Sequence, residues 1–511
     1  MYGRVTGVTV IGIRGVPFAV EAHVGRGLPS LTLTGLPGTT VQDARDRIRP
    51  AVESSGFEWP LRRVVVNLSP GNLRKDGPGL DLPIAMGVLV ATGQVPDART
   101  ADLAFVGELS LQGSLVATPG VLAIAIAVAR AGLRGIVVPS ANVAEARLVE
   151  GLEVVGLETL RDVVAFLRSG RPRESAPPDA EVLDPATEGA DLGDVRGQRH
   201  ARRALEVAAA GGHNLLLIGS PGAGKTMLAR RLPTILPTLA RDEALEVTQL
   251  HSVAGLLPRG LVVRRPFRAP HHSVSAAGLL GGGTGVLRPG EVSLAHHGVL
   301  FLDELGEFRR DAVEGLRQPL EDGRVVLVRA SGAVEFPARF TLVAAANPCP
   351  CGFEGDPTRV CRCTPIRVAQ YRQKLSGPLL DRIDIRIVVP RLSRQELLGE
   401  EPGEPSASIR ERVESARALQ RARCAPFGVS CNAQLPGPIA RREARLSQGG
   451  RDLLAAAVDR IGLTGRGFDR ALKVARTIAD LGQCASTEEA HVAEALGYRA
   501  EIAPTSMAAI G

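Results

Sequence analysis

Eight consecutive residues constrain this 511-residue chain more than any other feature. Gly219, Ser220, Pro221, Gly222, Ala223, Gly224, Lys225 and Thr226 match G-x-x-x-x-G-K-[ST] in full. An apolar strand, Asn214–Ile218, leads into the motif and a helix beginning at Thr226 leads out, which is the context it needs. The glycines let backbone N–H groups close around phosphate oxygens. Lys225 supplies a point charge for the outer phosphates, and Thr226 a hydroxyl for Mg2+. Strand, loop and helix in this order open a nucleotide-binding α/β domain, so ATP with Mg2+ is the expected cofactor.

The other parts of such a site follow downstream. The apolar run Gly298–Leu302 ends in Asp303 and Glu304. A buried strand there delivers Asp303 to the metal, and the adjacent Glu304 orients a water; a surface acidic pair is the plainer alternative. The strand Phe340–Ala346 ends in Asn347, an amide placed to sense the terminal phosphate, although Asn-Pro is also a common turn pair. Arg382, in Leu379-Leu-Asp381-Arg382-Ile-Asp384, suits an arginine finger reaching the ATP of a neighbouring subunit, a device worth ~10³–10⁵ in rate. An internal pair with Asp381 or Asp384 is the alternative. Arg466 and Arg470 share one face of a later helix, and either can contact a γ-phosphate from there, unless that face is simply solvated.

Cys349, Cys351, Cys361 and Cys363 make C-x-C-x₉-C-x-C directly after Asn347. Four thiolates on one short loop suit a closed tetrahedral Zn2+ site, against an alternative of inert buried cysteines. A zinc that only staples its own loop leaves hydrolysis intact in Cys349→Ser. Cys424, Cys431 and Cys484 read as unrelated. The pairs His271-His272 and His296-His297 read as structural, because adjacent side chains diverge on regular structure.

The chain is too long for one core. Residues 1–170 read as an α/β domain. Its strands are Val5–Ile11, Phe18–Val24, Leu31–Leu36, Val64–Leu68 and Gly135–Pro139. Its two helices are Val41–Glu53, capped by Thr40, and Val121–Ala131. Residues 171–192 read as a linker, 193–390 as the nucleotide-binding core and 391–511 as a helical lid, with helices Ile409–Ala422 and Arg466–Leu481 and a polar loop at 399–408. The net charge of +7 is compatible with a polyanionic partner without proving one. Aromatic residues make up only 3%, which favours backbone contact over base stacking. The most apolar stretch, Val121–Ala129, is nine residues and too short for a membrane span. No signal-peptide pattern opens the chain, and seven cysteines with four bunched together do not form a secreted disulfide framework. A cytoplasmic, non-membrane protein is expected.

Several strings together resemble the ComM/YifB family of magnesium-chelatase-like proteins. They are Asp194-Val-Arg-Gly-Gln198, Arg268-Ala-Pro-His-His272-Ser-Val-Ser, Leu294-Ala-His-His297-Gly-Val-Leu-Phe-Leu-Asp-Glu304, Asn347-Pro-Cys-Pro-Cys351-Gly, Ser376-Gly-Pro-Leu-Leu-Asp-Arg382 and Val474-Ala-Arg-Thr-Ile-Ala-Asp-Leu481. The resemblance implies a P-loop AAA+ core of the helix-2-insert type in a homo-hexameric ring. It also implies an ATP-driven helicase that acts on DNA and promotes branch migration in natural transformation. It gives Lys225, Thr226, Asp303, Glu304, Asn347, Arg382 and Arg466 the roles argued above. It also implies two hairpins entering the ring pore, which Leu261–Arg268 (with Arg264 and Arg265) and Val325–Pro337 (with Arg329) fit, although subunit-face pairing is an equal alternative for any one arginine. The N-terminal region resembles the Lon-protease-type, ribosomal S5-like domain, since Lys75-Asp-Gly-Pro78 looks like the start of its nucleophile motif. Gly79 stands where Ser is required, and no Lys lies in Val121–Ala131. A Ser–Lys hydrolase needs both groups, so a pseudo-protease is expected. The competing readings are a chelatase ATPase subunit that remodels a partner protein, and an ATP-dependent protease, which Gly79 argues against.

Overall fold

The computed structural model describes residues 1–170, 189–257, 260–283, 287–329, 332–356, 358–375, 377–394, 396 and 403–499. The expected linker falls almost wholly outside these residues, as does 399–402 of the expected polar loop.

The N-terminal region forms a seven-stranded sheet. Its strands are β1 (Tyr2–Ile11), β2 (Arg14–Gly25), β3 (Ser30–Thr34), β4 (Arg63–Ser69), β5 (Leu103–Phe105), β6 (Gly135–Pro139) and β7 (Glu153–Leu157), in the order β3-β4-β2-β1-β5-β6-β7. β1 and β2 make a long antiparallel hairpin turned at Gly12, whose φ of +63° suits glycine. Along β6, Val137 faces one side while Ile136 and Val138 face the other, as in a strand covered on both faces. The first face is covered by α1 (Thr39–Ser54), α2 (Asp81–Ala91) and α4 (Leu160–Ser169), the second by α3 (Val121–Arg130).

Two features here differ from expectation. All eleven residues of α2 are buried, so it carries no polar stripe and no helical periodicity to read; α2 and α4 add to the two helices expected. The N-cap of α1 is Gly38 with no side-chain cap, not Thr40. A Cβ at Gly38 would lie 2.1 Å from the Asp76 carboxyl carbon, which closes that position to a capping Ser or Thr.

The core is a five-stranded sheet with every pairing parallel. Its strands are β8 (Leu215–Ile218), β9 (Phe267–Arg268), β12 (Val299–Leu302), β15 (Thr341–Ala346) and β16 (Ile385–Val388), in the order β9-β12-β15-β8-β16. Alternate residues feed two apolar clusters. Leu215, Leu217, Val299, Phe301, Val343 and Ala345 point to one side, and Leu216, Ile218, Leu300, Leu302, Leu342 and Ala344 to the other. On the first side lie α5 (Arg199–Gly211) and α6 (Lys225–Ile235). They share one cluster with lid residues Ile409, Val413, Leu454, Leu472 and Ala475.

The lid helices are α9 (Ser406–Cys424), α10 (Gly437–Glu443), α11 (Gln448–Ile461), α12 (Gly465–Leu481) and α13 (Glu489–Gly497). Helix α9 starts inside the expected polar loop. The Ser406 N–H donates to Asp191 at 3.0 Å and its hydroxyl accepts from Leu192 N–H at 2.7 Å, which fixes this end. Thr464 caps α12 by accepting from Gly467 N–H at 3.1 Å.

Between β9 and β12 the helix α8 (Ala276–Leu280) breaks into a hairpin, β10 (Gly281–Gly282) with β11 (Arg288–Pro289), before a single turn at Glu291–Leu294. Leu261–Arg268 does not form the first expected hairpin. Phe267–Arg268 is the sheet-edge strand β9, Arg265 pairs with Glu243 at 2.8 Å, and Arg268 pairs with Glu291 at 2.6 Å. The second expected hairpin is present as β13 (Arg324–Arg329) and β14 (Gly332–Pro337), in antiparallel register. Helix α7 (Arg241–Val253) joins the two domains: the Gly120 N–H donates to Ser252 O at 3.2 Å, and the Ser252 hydroxyl bonds the buried Glu145 carboxylate. At the turn of the first hairpin, a Cβ on Gly12 would lie 3.0 Å from Glu335 O of β14.

Candidate nucleotide site and cysteine cluster

Because the core strands run parallel, the segments following β8, β12 and β15 gather at one edge of the sheet. After β8 the chain turns through Gly219, where a Cβ would sit 2.4 Å from Val389 O, and through Gly222 and Gly224 at φ +81° and +91°. These conformations aim the loop amides and the N-terminus of α6 at one point, an arrangement that binds anions. Lys225 is buried, and its Nζ donates to Gly219 O at 2.6 Å, Ser220 O at 3.0 Å and Asn347 Oδ1 at 3.2 Å. Burial lowers its pKa, opposed by Asp303 and Glu304. The Thr226 hydroxyl donates to Asp303 Oδ2 at 2.7 Å. Hydroxyl and carboxylate oxygens side by side are the donor set that Mg2+ takes beside phosphates. The sequence-predicted phosphate loop, acid and amide therefore meet.

Glu304 takes a left-handed backbone conformation, φ +52°, and its carboxylate is half exposed. His272 Nδ1 stands 3.6 Å from Glu304 Oε2, a neighbour that the sequence reading set aside as structural. Tyr371 was also missed. Its ring packs on Gly306, two residues past Glu304. Burial pushes its pKa up to about 12, so it remains a neutral phenol. No local signal marks Tyr371, because its role depends on the helix Pro365–Lys374 packing beside β15.

Arg382 and Arg466 lie elsewhere. Both line a cavity of about 780 Å³ with Asn214, Gly298, Thr341 and Asp384, the residues at the opposite ends of the core strands. Strands of this length put the two edges roughly 13–20 Å apart. Arg382 is nearly buried and pairs with Glu321. Arg470 donates to Asp384 Oδ1 at 2.9 Å, while Arg466 is exposed. Arg466 shares this edge with Arg382.

The four loop cysteines converge, their sulfurs all within 4.8 Å of one another. Cys349 Sγ is 3.4 Å from Cys351 Sγ and 3.6 Å from Cys361 Sγ, and Cys351 Sγ is 3.6 Å from Cys361 Sγ. Tetrahedral Zn–S bonds of about 2.3 Å imply sulfur separations near 3.8 Å, so the donors fit zinc. Burial opposes the Cys351 thiolate, but the N–H groups of Phe353 and Arg362 and the neighbouring thiols outweigh it and bring its pKa to about 6. Glu246, His296 and His297 form a second convergence. There the His296 Nδ1 accepts from Arg339 N–H at 2.9 Å, which leaves the proton on Nε2, facing Glu246 at 3.0 Å. A ring fixed that way is a donor rather than a metal ligand.

In the N-terminal domain Lys75 is fully buried. Its Nζ donates to the carbonyls of Gly35, Leu68 and Pro70. A Cβ at Gly79 would meet Val106 and Thr118 at 3.1–3.4 Å. No helix among the described residues is long and apolar enough to cross a membrane.

Residues 191–397 match the family described as magnesium chelatase, subunit ChlI. Residues 20–142 match subunit ChlI of Mg-chelatase, and 403–499 match its C-terminal region. An uncharacterized protein of Mycobacterium tuberculosis is 46% identical, covering 97% of this chain and 98% of its own. Competence protein ComM of Haemophilus influenzae is 42% identical over 96% of each chain, and YifB of Escherichia coli 42% identical over 96% of this chain and 95% of its own. A shorter likeness, 28% identical over 36% of this chain and 23% of the other, is to the Lon protease of Geobacter metallireducens.

Proposed function

The chain belongs to the ComM/YifB family of magnesium-chelatase-like AAA+ proteins, and from that premise we propose that it is an ATP-driven DNA motor, a hexameric helicase promoting branch migration in recombination and transformation. One observation carries the ring: phosphate-binding and arginine groups stand at opposite edges of one sheet, so a complete site requires two copies. Lys225 and Thr226 hold the phosphates and the Mg2+ that the family implies, with Asp303 as the second metal ligand. Mg2+ supplies charge neutralisation at the phosphates. Glu304 takes the proton of the attacking water, and Asn347, bonded to Lys225, aligns that water. Arg382 of the neighbouring copy stabilises transition-state charge, with Arg466 beside it.

In this reading DNA phosphates meet the two hairpins, through Arg329 on β13 and Arg288 on β11, both exposed. The four cysteines hold zinc. The Lon-like domain is proteolytically inactive, because Gly79 offers no nucleophile and Val121–Ala131 offers no lysine. The printed name of the Haemophilus relative supports a competence-associated role. The chelatase-subunit reading, favoured by the family description, predicts hydrolysis indifferent to DNA.

The test is steady-state ATPase of wild type and Glu304→Gln with no DNA, single strands, duplex and a four-way junction at two salt concentrations. A DNA-stimulated rate that fades with salt is the expected result. Robust hydrolysis unmoved by every DNA overturns the DNA reading and leaves protein remodelling.

A further inference from the structure

We propose that the four-cysteine loop is a positioning element of the phosphate loop, so that metal in the cluster sets nucleotide affinity rather than merely stapling the loop. The proposal rests on the nucleotide reading of Gly219–Thr226. Gly352, at φ +82°, packs so closely on Pro221 that a Cβ there would lie 2.6 Å from its Cδ. Arg391 follows β16 and bridges the two loops. It donates to Pro221 O at 3.2 Å and to Thr358 Oγ1 at 3.2 Å, and its Nε lies 3.2 Å from Asp356 Oδ2 in an ion pair. Asp356 further accepts from Thr358 N–H at 2.8 Å and Arg359 N–H at 3.0 Å. Its carboxyl is held well below the usual range by the Thr358 hydroxyl and then by the Ser220 hydroxyl of the phosphate loop. Asn347, the residue bonded to Lys225, is two positions before Cys349.

Among its described residues, the segment 348–364 has no helix or strand of its own. A loop of that length without regular structure needs other constraints, and the converging sulfurs are the evident one. Pro221 and Ser220, whose backbone lies inside the phosphate cradle, are therefore braced by a loop that the cluster shapes. Were the cluster only a local staple, hydrolysis would be indifferent to Cys349→Ser.

The experiment measures three quantities on the full-length protein: zinc content by elemental analysis, ADP affinity by titration and thermal unfolding. It compares the protein as purified, chelator-treated, and reloaded with one equivalent of zinc, together with Cys361→Ser and Gly352→Ala. Chelation is expected to weaken ADP binding by about tenfold or more, with zinc restoring it, because small displacements of a positioned group are costly. KM for ATP should rise more than kcat falls. Gly352→Ala keeps all four thiols and is expected to retain zinc while losing ADP affinity, which separates bracing from loss of folding if the metal-free protein melts. Unchanged ADP affinity in metal-free but cooperatively unfolding protein, or in Gly352→Ala, overturns the proposal. So does a wild type that takes up no zinc. A zinc-loaded wild type that binds no ADP overturns the nucleotide reading itself.

Discussion

At the scale of single residues, the adjacent acids Asp303 and Glu304 are separated by one backbone angle. The left-handed turn at Glu304 sends its carboxylate toward His272 and leaves that of Asp303 against the Thr226 hydroxyl. Glu304→Gln is expected to cut hydrolysis by roughly 10²-fold or more while nucleotide still binds. Single-turnover hydrolysis beside an ADP titration checks it, and a variant hydrolysing at the wild-type rate removes Glu304 from the chemistry. His296 gives a pH prediction. Burial pulls its pKa down to about 4, against the pull of Glu246, with His297 and Arg339 reinforcing the drop. The unfolded ring titrates near 6.5, so on acidification the unfolded chain takes up a proton that the folded chain refuses. The stability contributed is complete above about pH 6.5 and is lost as pH falls toward about 4, at about 1.4 kcal/mol per unit. Denaturant melts at pH 7.5 and 5 should show wild type losing about 2 kcal/mol more than His296→Gln from this group. Equal losses refute the assignment. Glu246 itself, held low by both histidines, acts only at more acid pH.

Among the elements, what the sequence made legible was whatever leaves a local signal. The strands before Gly219, Asp303 and Asn347 are short unbroken apolar runs, buried on both faces, each ending in a polar group, and the glycine loop has one conformation that works, so the phosphate site could be read residue by residue. Helix α2 left no period because every side chain is buried. The pairing of Gly281–Gly282 with Arg288–Pro289 left no signal to read, because its strands have only two residues each and no alternation. Tyr371 and His272 reach the site only through tertiary packing, and sequence does not say which edge of a sheet the lid residue Arg466 covers. Hairpin β13–β14 carries the element-scale prediction. Val328 is 76% exposed and Arg329 follows it at the turn, so the tip offers charge with little competing structure. Arg329→Ala is expected to weaken DNA binding alike for all sequences and to lower the salt slope by about one counterion. Binding isotherms at several salt concentrations check this, and an unchanged slope takes Arg329 off the phosphate path.

For the whole molecule, the decisive feature is the separation of Lys225, Thr226, Asp303 and Glu304 from Arg382 and Arg466 across the core sheet. The N-terminal domain adds a second link, since α7 bonds Glu145 through Ser252 and Gly12 abuts β14, so both domains touch elements that border the site and the hairpin. A heterologous, head-to-tail contact that closes into a ring brings the arginine edge of one copy to the phosphate edge of the next. This geometry makes two separately inactive variants complementary. Arg382→Ala retains the phosphate edge and Glu304→Gln retains the arginine edge, so an interface pairing the first copy's phosphates with the second copy's arginine is intact. In rings assembled at random from equal amounts, about one interface in four has that arrangement, so mixing should restore up to about a quarter of wild-type hydrolysis. Arg382→Ala alone should fall by ~10³-fold or more, as loss of a finger demands, and Glu304→Gln alone by the roughly 10²-fold or more expected above. Mixtures that exchange subunits yet show only the sum of the two residual rates would mean that the arginine serves its own chain, through a rearrangement that brings the two edges of the sheet together.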